Sequence, residues 1–137
     1  MAEVDDYLKI TPSSSNGLIL YVEDNLSNVK LVEKIIARLP GVELLTAMQG
    51  RLTLDLARAN HPALILLDIH LPDIGGGEVL RALRADPQTA DIPVVVMSAD
   101  ATHAQIERML AAGANAYLTK PIDVRQFLDV VGRILGS

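Results

Sequence analysis

Five short apolar runs, each followed by a stretch with helical spacing, constrain this chain more than any other feature. The runs are "LILYV" (18–22), "VELLTA" (42–47), "ALILLD" (63–68), "IPVVVMS" (92–98) and "AYLT" (116–119). Strands this apolar are buried on both faces, as happens when helices cover a parallel sheet from both sides. After the first run, Leu26, Val29, Val32, Ile36 and Leu39 recur at helical spacing, and Val124, Phe127, Leu128, Val131, Ile134 and Leu135 do so at the other end. Segments 49–60, 77–86 and 102–112 carry weaker patterns of the same kind, and Pro87, Pro93 and Gly113 fall where elements should stop or start. Five βα units of this sort predict an α/β fold: a doubly wound five-stranded parallel sheet with right-handed crossovers and helices on both faces. Half of the residues are hydrophobic but only 3% are aromatic, so the core must be built from Leu, Ile, Val and Ala.

Residues 1–16 stand apart. They lack sustained periodicity and end in "TPSSSNG", a turn-forming cluster typical of linkers, so they are read as a disordered lead-in to one domain over 17–137. The formal charge is −5 and no basic stripe is present, which argues against direct binding of nucleic acid. There is no cysteine, hence no disulfide and no thiolate metal site. No apolar run approaches the roughly 20 residues that span a bilayer, and the acidic start "MAEVDDYLKI" is unlike a signal peptide, so a cytoplasmic location is expected.

In a sheet of this type, ligands sit beyond the carboxyl ends of the strands. Glu23 and Asp24 follow the first run, Asp68 ends the third, Ser98 ends the fourth, and Lys120-Pro121 follows the fifth. The second run leads into "TAMQG", with no charge. Three carboxylates, a hydroxyl and an ammonium are thus predicted to converge on one sheet edge.

In order and context, "LILYVED", "LILLDIHLPDIGG", "VVVMSA" and "AYLTKP" resemble the receiver domain of two-component response regulators, across essentially all of residues 17–136. The resemblance implies the flavodoxin-like strand order 2-1-3-4-5. It matches Asp68 to the family's phosphoacceptor, Glu23 and Asp24 to its acidic pair, Ser98 to its Ser/Thr, Tyr117 to its aromatic switch and Lys120 to its lysine, followed by a cis proline. Pro72 and Gly76 match its loop after the third strand. A carboxylate attacking a phosphoryl group approaches another anion, so a divalent cation is needed to neutralise charge and fix geometry. By resemblance this is Mg²⁺, with Asp24 and Asp68 as direct ligands, Glu23 acting through a bound water and the backbone carbonyl of His70 completing the protein's share. Lys120 would pair with a phosphoryl oxygen, and without metal at least one of the three acids should have a raised pKa. Ser98 would read the phosphoryl group and Tyr117 would turn inward behind it.

His70 and Asp100, each two residues beyond a site residue, are expected at its rim, tuning the lifetime of the aspartyl phosphate. His61, His70 and His103 lie on separate segments without a cysteine partner, which disfavours zinc. "GGG" at 75–77 has neither GxGxxG nor Walker spacing and reads as a flexible loop before the third helix.

Three alternatives share parts of this pattern. A flavodoxin-like cofactor binder would need a phosphate loop where this chain has "EDN". A haloacid-dehalogenase phosphatase would need a second Asp where this chain has His70. A degenerate receiver, binding partners without phosphorylation, is opposed by the intact acid, hydroxyl and lysine set. The resemblance implies no enzyme beyond self-phosphorylation from a donor and self-dephosphorylation. The donor would be a histidine kinase or a histidine phosphotransfer domain, docking on the first helix near Leu26. Output would be read from a face that includes His103, Gln105, Glu107, Tyr117 and Arg125. "ILYVEDNLSNVKLVEKII" is similar to receivers attached to hybrid histidine kinases, and no output domain is expected after the last helix.

Overall fold

The computed structural model describes residues 17–136. The expected lead-in over 1–16 lies outside the described residues. Strands β1 (Leu18–Val22), β2 (Glu43–Ala47), β3 (Leu64–Asp68), β4 (Val94–Ser98) and β5 (Ala116–Thr119) alternate with helices α1 (Leu26–Ile36), α2 (Thr53–Asn60), α3 (Gly76–Ala85), α4 (His103–Ala111) and α5 (Val124–Leu135). A short 3₁₀ turn, Gly50–Leu52, precedes α2. All strand pairings are parallel, in the order β2-β1-β3-β4-β5. The order reverses between β1 and β3.

Side chains alternate across each strand and so supply two cores. Leu20, Val22, Ile65, Leu67, Val94 and Val96 face Ala57 of α2, Val79, Leu80 and Leu83 of α3, and Met109 of α4. Ile19, Tyr21, Leu64, Leu66, Val95 and Met97 face Val29, Val32, Ile35 and Ile36 of α1, and Phe127 and Val131 of α5. The near-continuous apolar runs follow from this arrangement, since neither face of β1, β3 or β4 meets water.

Two boundaries differ from expectation. The helical spacing runs to Leu39, but α1 stops at Ile36, because Pro40 disfavours a helical Leu39 and Gly41 takes φ +76° in the turn that follows. Leu39 still packs against the core. Gly76 and Gly77 belong to the first turn of α3, not to a flexible loop, with Gly75 as its N-cap. A Cβ on Gly76 would sit 2.5 Å from Ile69 Cα, so the glycine lets α3 start directly against the residue after Asp68.

At the opposite sheet edge, Arg84 ties three segments together. Its guanidinium donates to the carbonyls of Ala90 (3.0 Å), Ile92 (2.8 Å) and Gly113 (2.8 and 3.1 Å), and to Asn115 Oδ1 (3.0 Å). Gly113 has φ +115° and lies so close that a Cβ there would meet the Arg84 side chain at 2.9 Å. Loss of this charge-assisted fork in Arg84→Ala should cost about 3 kcal/mol in a urea melt. Arg84→Lys should recover less than half, because an ammonium lacks the planar fork. A melt unchanged in Arg84→Ala would refute this.

Candidate functional site

Strand register assembles the site before any side chain is considered. Val22 pairs with Leu67, which sets Glu23 beside Asp68 where β1 and β3 end; Asp68 pairs with Met97, and Ser98 with Thr119. The next residue, Lys120, donates its backbone N–H to the Ser98 carbonyl at 2.8 Å. The predicted acids, hydroxyl and lysine are thus brought to one edge, and the Lys120-Pro121 bond is cis.

Glu23 is 1% exposed and Asp68 3%, whereas Asp24 lies on the surface. Each of the three offers a carboxylate oxygen within 4.8 Å of the others. Lys120 Nζ lies 3.0 Å from Glu23 Oε1 and 3.4 Å from Asp68 Oδ2. Among the described residues, one ammonium thus contacts both inner acids, with Asp24 close to them. Burial opposes charge on both inner acids, and the pair settles it unequally. Asp68 is raised above the usual carboxylate range by burial and by Glu23, against the pull of the His70 N–H and Lys120. Glu23 is lowered: burial pushes it up, but bonding to Asp68, Lys120 and Tyr21 outweighs that. The repulsion expected from sequence therefore falls on Asp68.

Three partners of Glu23 were not anticipated. Tyr21 hydroxyl donates to Glu23 Oε1 at 3.0 Å and Asn28 Nδ2 does so at 3.2 Å, while the Asn25 N–H reaches Oε2 at 3.3 Å. Burial, then the Glu23 charge, pushes the Tyr21 phenol well above its ordinary range, so it stays a donor. The available signal was a tyrosine in an otherwise aliphatic strand, two residues before Glu23 and so on the same side of β1. Asp73 was also missed. Its carboxylate accepts from the backbone N–H groups of Gly50 (2.9 Å) and Arg51 (3.0 Å), pinning the loop after β3 to the 3₁₀ turn.

His70 lies beside Asp68 and Ser98. Its backbone N–H donates to Asp68 Oδ1 at 3.1 Å, and its exposed imidazole places Nε2 3.2 Å from Ser98 Oγ. Asp100 engages Thr102, accepting from its N–H (2.9 Å) and hydroxyl (2.7 Å), and these bonds hold its carboxyl below the usual range. Tyr117 is half-buried against the first core, and its hydroxyl donates to the Asp100 carbonyl at 2.6 Å. Of the other histidines, exposed His61 ends α2 at φ 45°, and His103 pairs with Glu107 at 2.9 Å on the surface of α4. On α1, Leu26 is 56% exposed.

The donor set suits a hard divalent cation, being all oxygen and anionic. Exposed Asp24 leaves room for the water ligands that Mg²⁺ gives up reluctantly. Among the described residues, no helix is long and apolar enough to cross a membrane.

Residues 19–132 match the response regulator receiver domain family. The polar-differentiation response regulator DivK of Brucella ovis is 40% identical over 119 residues, covering 87% of this chain and 96% of that protein. Among solved structures, the receiver domain of a sensor histidine kinase from Pseudomonas aeruginosa PAO1, with a magnesium ion coordinated in its active-site cleft, superposes with a TM-score of 0.80. It is 29% identical and covers 90% of this chain and 100% of that one. The phosphorylated cyanobacterial phytochrome response regulator RcpA superposes with a TM-score of 0.75 at 32% identity, covering 88% and 91%.

Proposed function

The chain belongs to the response regulator receiver domain family, and on that premise we propose that it accepts a phosphoryl group on Asp68 from a phosphohistidine and changes conformation in response. The observation that carries this reading is the placement of Lys120 Nζ between Glu23 and Asp68, with Ser98 one residue beyond Met97, the β4 partner of Asp68. Asp24, Asp68 and the backbone carbonyl of His70 would hold Mg²⁺, with Glu23 acting through a water. When bound, the cation neutralises charge on the incoming phosphoryl group.

The chain's own residues do the rest. An Asp68 oxygen attacks phosphorus in line as the bond to the donor's imidazole nitrogen breaks, so the group is transferred without a change of oxidation state. Lys120 pairs with a phosphoryl oxygen as the charge arrives. Ser98 donates to another oxygen and draws in the loop after β4, and Tyr117, already bonded to the Asp100 carbonyl in that loop, follows it. Receiver domains are not enzymes in the usual sense, and this one would catalyse only its own loading and hydrolysis, in the cytoplasm. A histidine kinase or phosphotransfer domain would be its donor, docking over α1 beside exposed Leu26.

Intact mass spectrometry tests the reading directly. Incubated with acetyl phosphate and Mg²⁺, the chain should gain one phosphoryl group, labile to base and lost when EDTA is added beforehand. Failure to gain it from acetyl phosphate, phosphoramidate and a phosphorylated histidine phosphotransfer domain alike would overturn the proposal in favour of a phosphorylation-independent binding module.

A further inference from the structure

Ser98 is fully buried at the end of β4, yet its hydroxyl is already engaged. The Asp100 N–H donates to Oγ at 3.0 Å, and His70 Nε2 lies 3.2 Å from the same oxygen. In one imidazole tautomer Ser98 gives its proton to His70, and in the other it accepts one. Either way the contact holds the Ser98 oxygen in place, and in the first tautomer it also fixes the hydroxyl proton. His70 also touches the phosphoacceptor, through its backbone N–H to Asp68 Oδ1. Its ring is exposed, so little buried surface is lost when it swings away.

We infer that His70 is a positioning residue for Ser98: its imidazole holds the hydroxyl in the unphosphorylated chain, and a phosphoryl group on Asp68 has to take Ser98 from it. The inference rests on the reading of Asp68 as phosphoacceptor. It assigns to His70 a bias on the resting state, which is separate from any effect on hydrolysis of the aspartyl phosphate. Because the Asp100 carbonyl accepts from Tyr117, the bias extends along one chain of hydrogen bonds from His70 through Ser98 and the 98–100 loop to β5. A ligand shifts such an equilibrium only by its differential contacts, so the hold on Ser98 should be read as weakened binding at Asp68.

The test is equilibrium binding of beryllium trifluoride, an inert phosphoryl mimic, to the full chain with Mg²⁺. His70→Ala and His70→Phe are compared, each with Ser98 and with Ser98→Ala. Both should bind about threefold to fivefold tighter when Ser98 is present, the worth of one ordinary hydrogen bond, and neither should gain when it is absent. His70→Phe keeps the ring's bulk, so a gain confined to His70→Ala, or one equal in both backgrounds, would mean simple access and would overturn the inference. In the metal-free protein at fixed pH, the ¹⁵N resonance of His70 Nε2 should move on Ser98→Ala; an unmoved resonance would overturn it too. A wild type that neither binds the mimic nor takes a phosphoryl group would instead remove the phosphoacceptor reading, and this inference with it.

Discussion

Asp68→Asn is expected to gain no phosphoryl group under conditions that load the wild-type chain, and in metal-free buffer to unfold at a temperature a few degrees higher. The first effect is complete because an amide oxygen is no nucleophile toward phosphorus at neutral pH. The second follows from the charge balance at the end of β3. Asp68 is buried beside Glu23, with Asp24 near and a single ammonium to offset them. The asparagine keeps an oxygen to accept the His70 N–H and removes one of three like charges. A gain of about 1 kcal/mol, typical of relieving one unfavourable buried charge, moves the melting temperature by a few degrees in a domain of this size.

The pH dependence has a definite sign. Folding raises the pKa of Asp68, so between the unfolded and folded values the native state holds more protons than the unfolded chain. Stability from this group is intact below the unfolded pKa and is lost as pH rises through the folded one. The variant escapes that loss, so its advantage should be absent in acid and widen toward neutrality. Glu23 and Asp68 titrate as a pair, and the profile belongs to both. Added Mg²⁺ should raise the melting temperature of the wild type and largely fail to do so in Asp68→Asn. A variant no more stable than wild type at pH 7 would show that Lys120 alone already balances the acids.

The fold and the convergence of the candidate residues on one edge were legible for one reason: four of the five strand runs end at, or are directly followed by, a chemically distinctive residue. Apolar runs bounded by turn residues mark strands even in a single sequence, and parallel topology then sends their carboxyl ends to one edge. What periodicity could not reveal was where a pattern outlives its element. Leu39 keeps the spacing of α1 and packs on the core, yet Pro40 ends the helix before it. The glycines at 76 and 77 look like a loop by composition, but α3 needs Gly76 for its contact with Ile69. The partners of the acids were also hidden. Tyr21 and Asn28 reach Glu23 through side chains whose targets depend on the packing of α1 on β1, and Asp73 meets Gly50 across a sequence gap that no local rule spans.

Lys120→Met should do the reverse of Asp68→Asn in metal-free buffer: it should lose about 3 kcal/mol of stability, as is usual when one partner of a buried ion pair is removed. Methionine keeps the apolar stem of the lysine and drops its terminal nitrogen, so the loss reports the ammonium. Without it, among the described residues Glu23 retains the neutral donors Tyr21, Asn28 and the Asn25 N–H, and Asp68 retains the His70 N–H. Divalent metal then becomes the main counter-charge, so Mg²⁺ should stabilise Lys120→Met by more than it stabilises the wild type. Phosphoryl uptake should nevertheless fall by about two orders of magnitude, because an electrostatic donor at the transferring group is gone. Thermal melts with and without Mg²⁺, together with intact-mass time courses, separate these effects. The double variant Asp68→Asn/Lys120→Met supplies the decisive comparison, since the two residues lie 3.4 Å apart and share Glu23 as neighbour. Removing one acid together with the lone ammonium leaves two carboxylates instead of three, so its metal-free stability should exceed the sum of the single effects. Strict additivity would mean that Lys120 acts on the fold through Glu23, 3.0 Å away, and that its charge does not couple to Asp68.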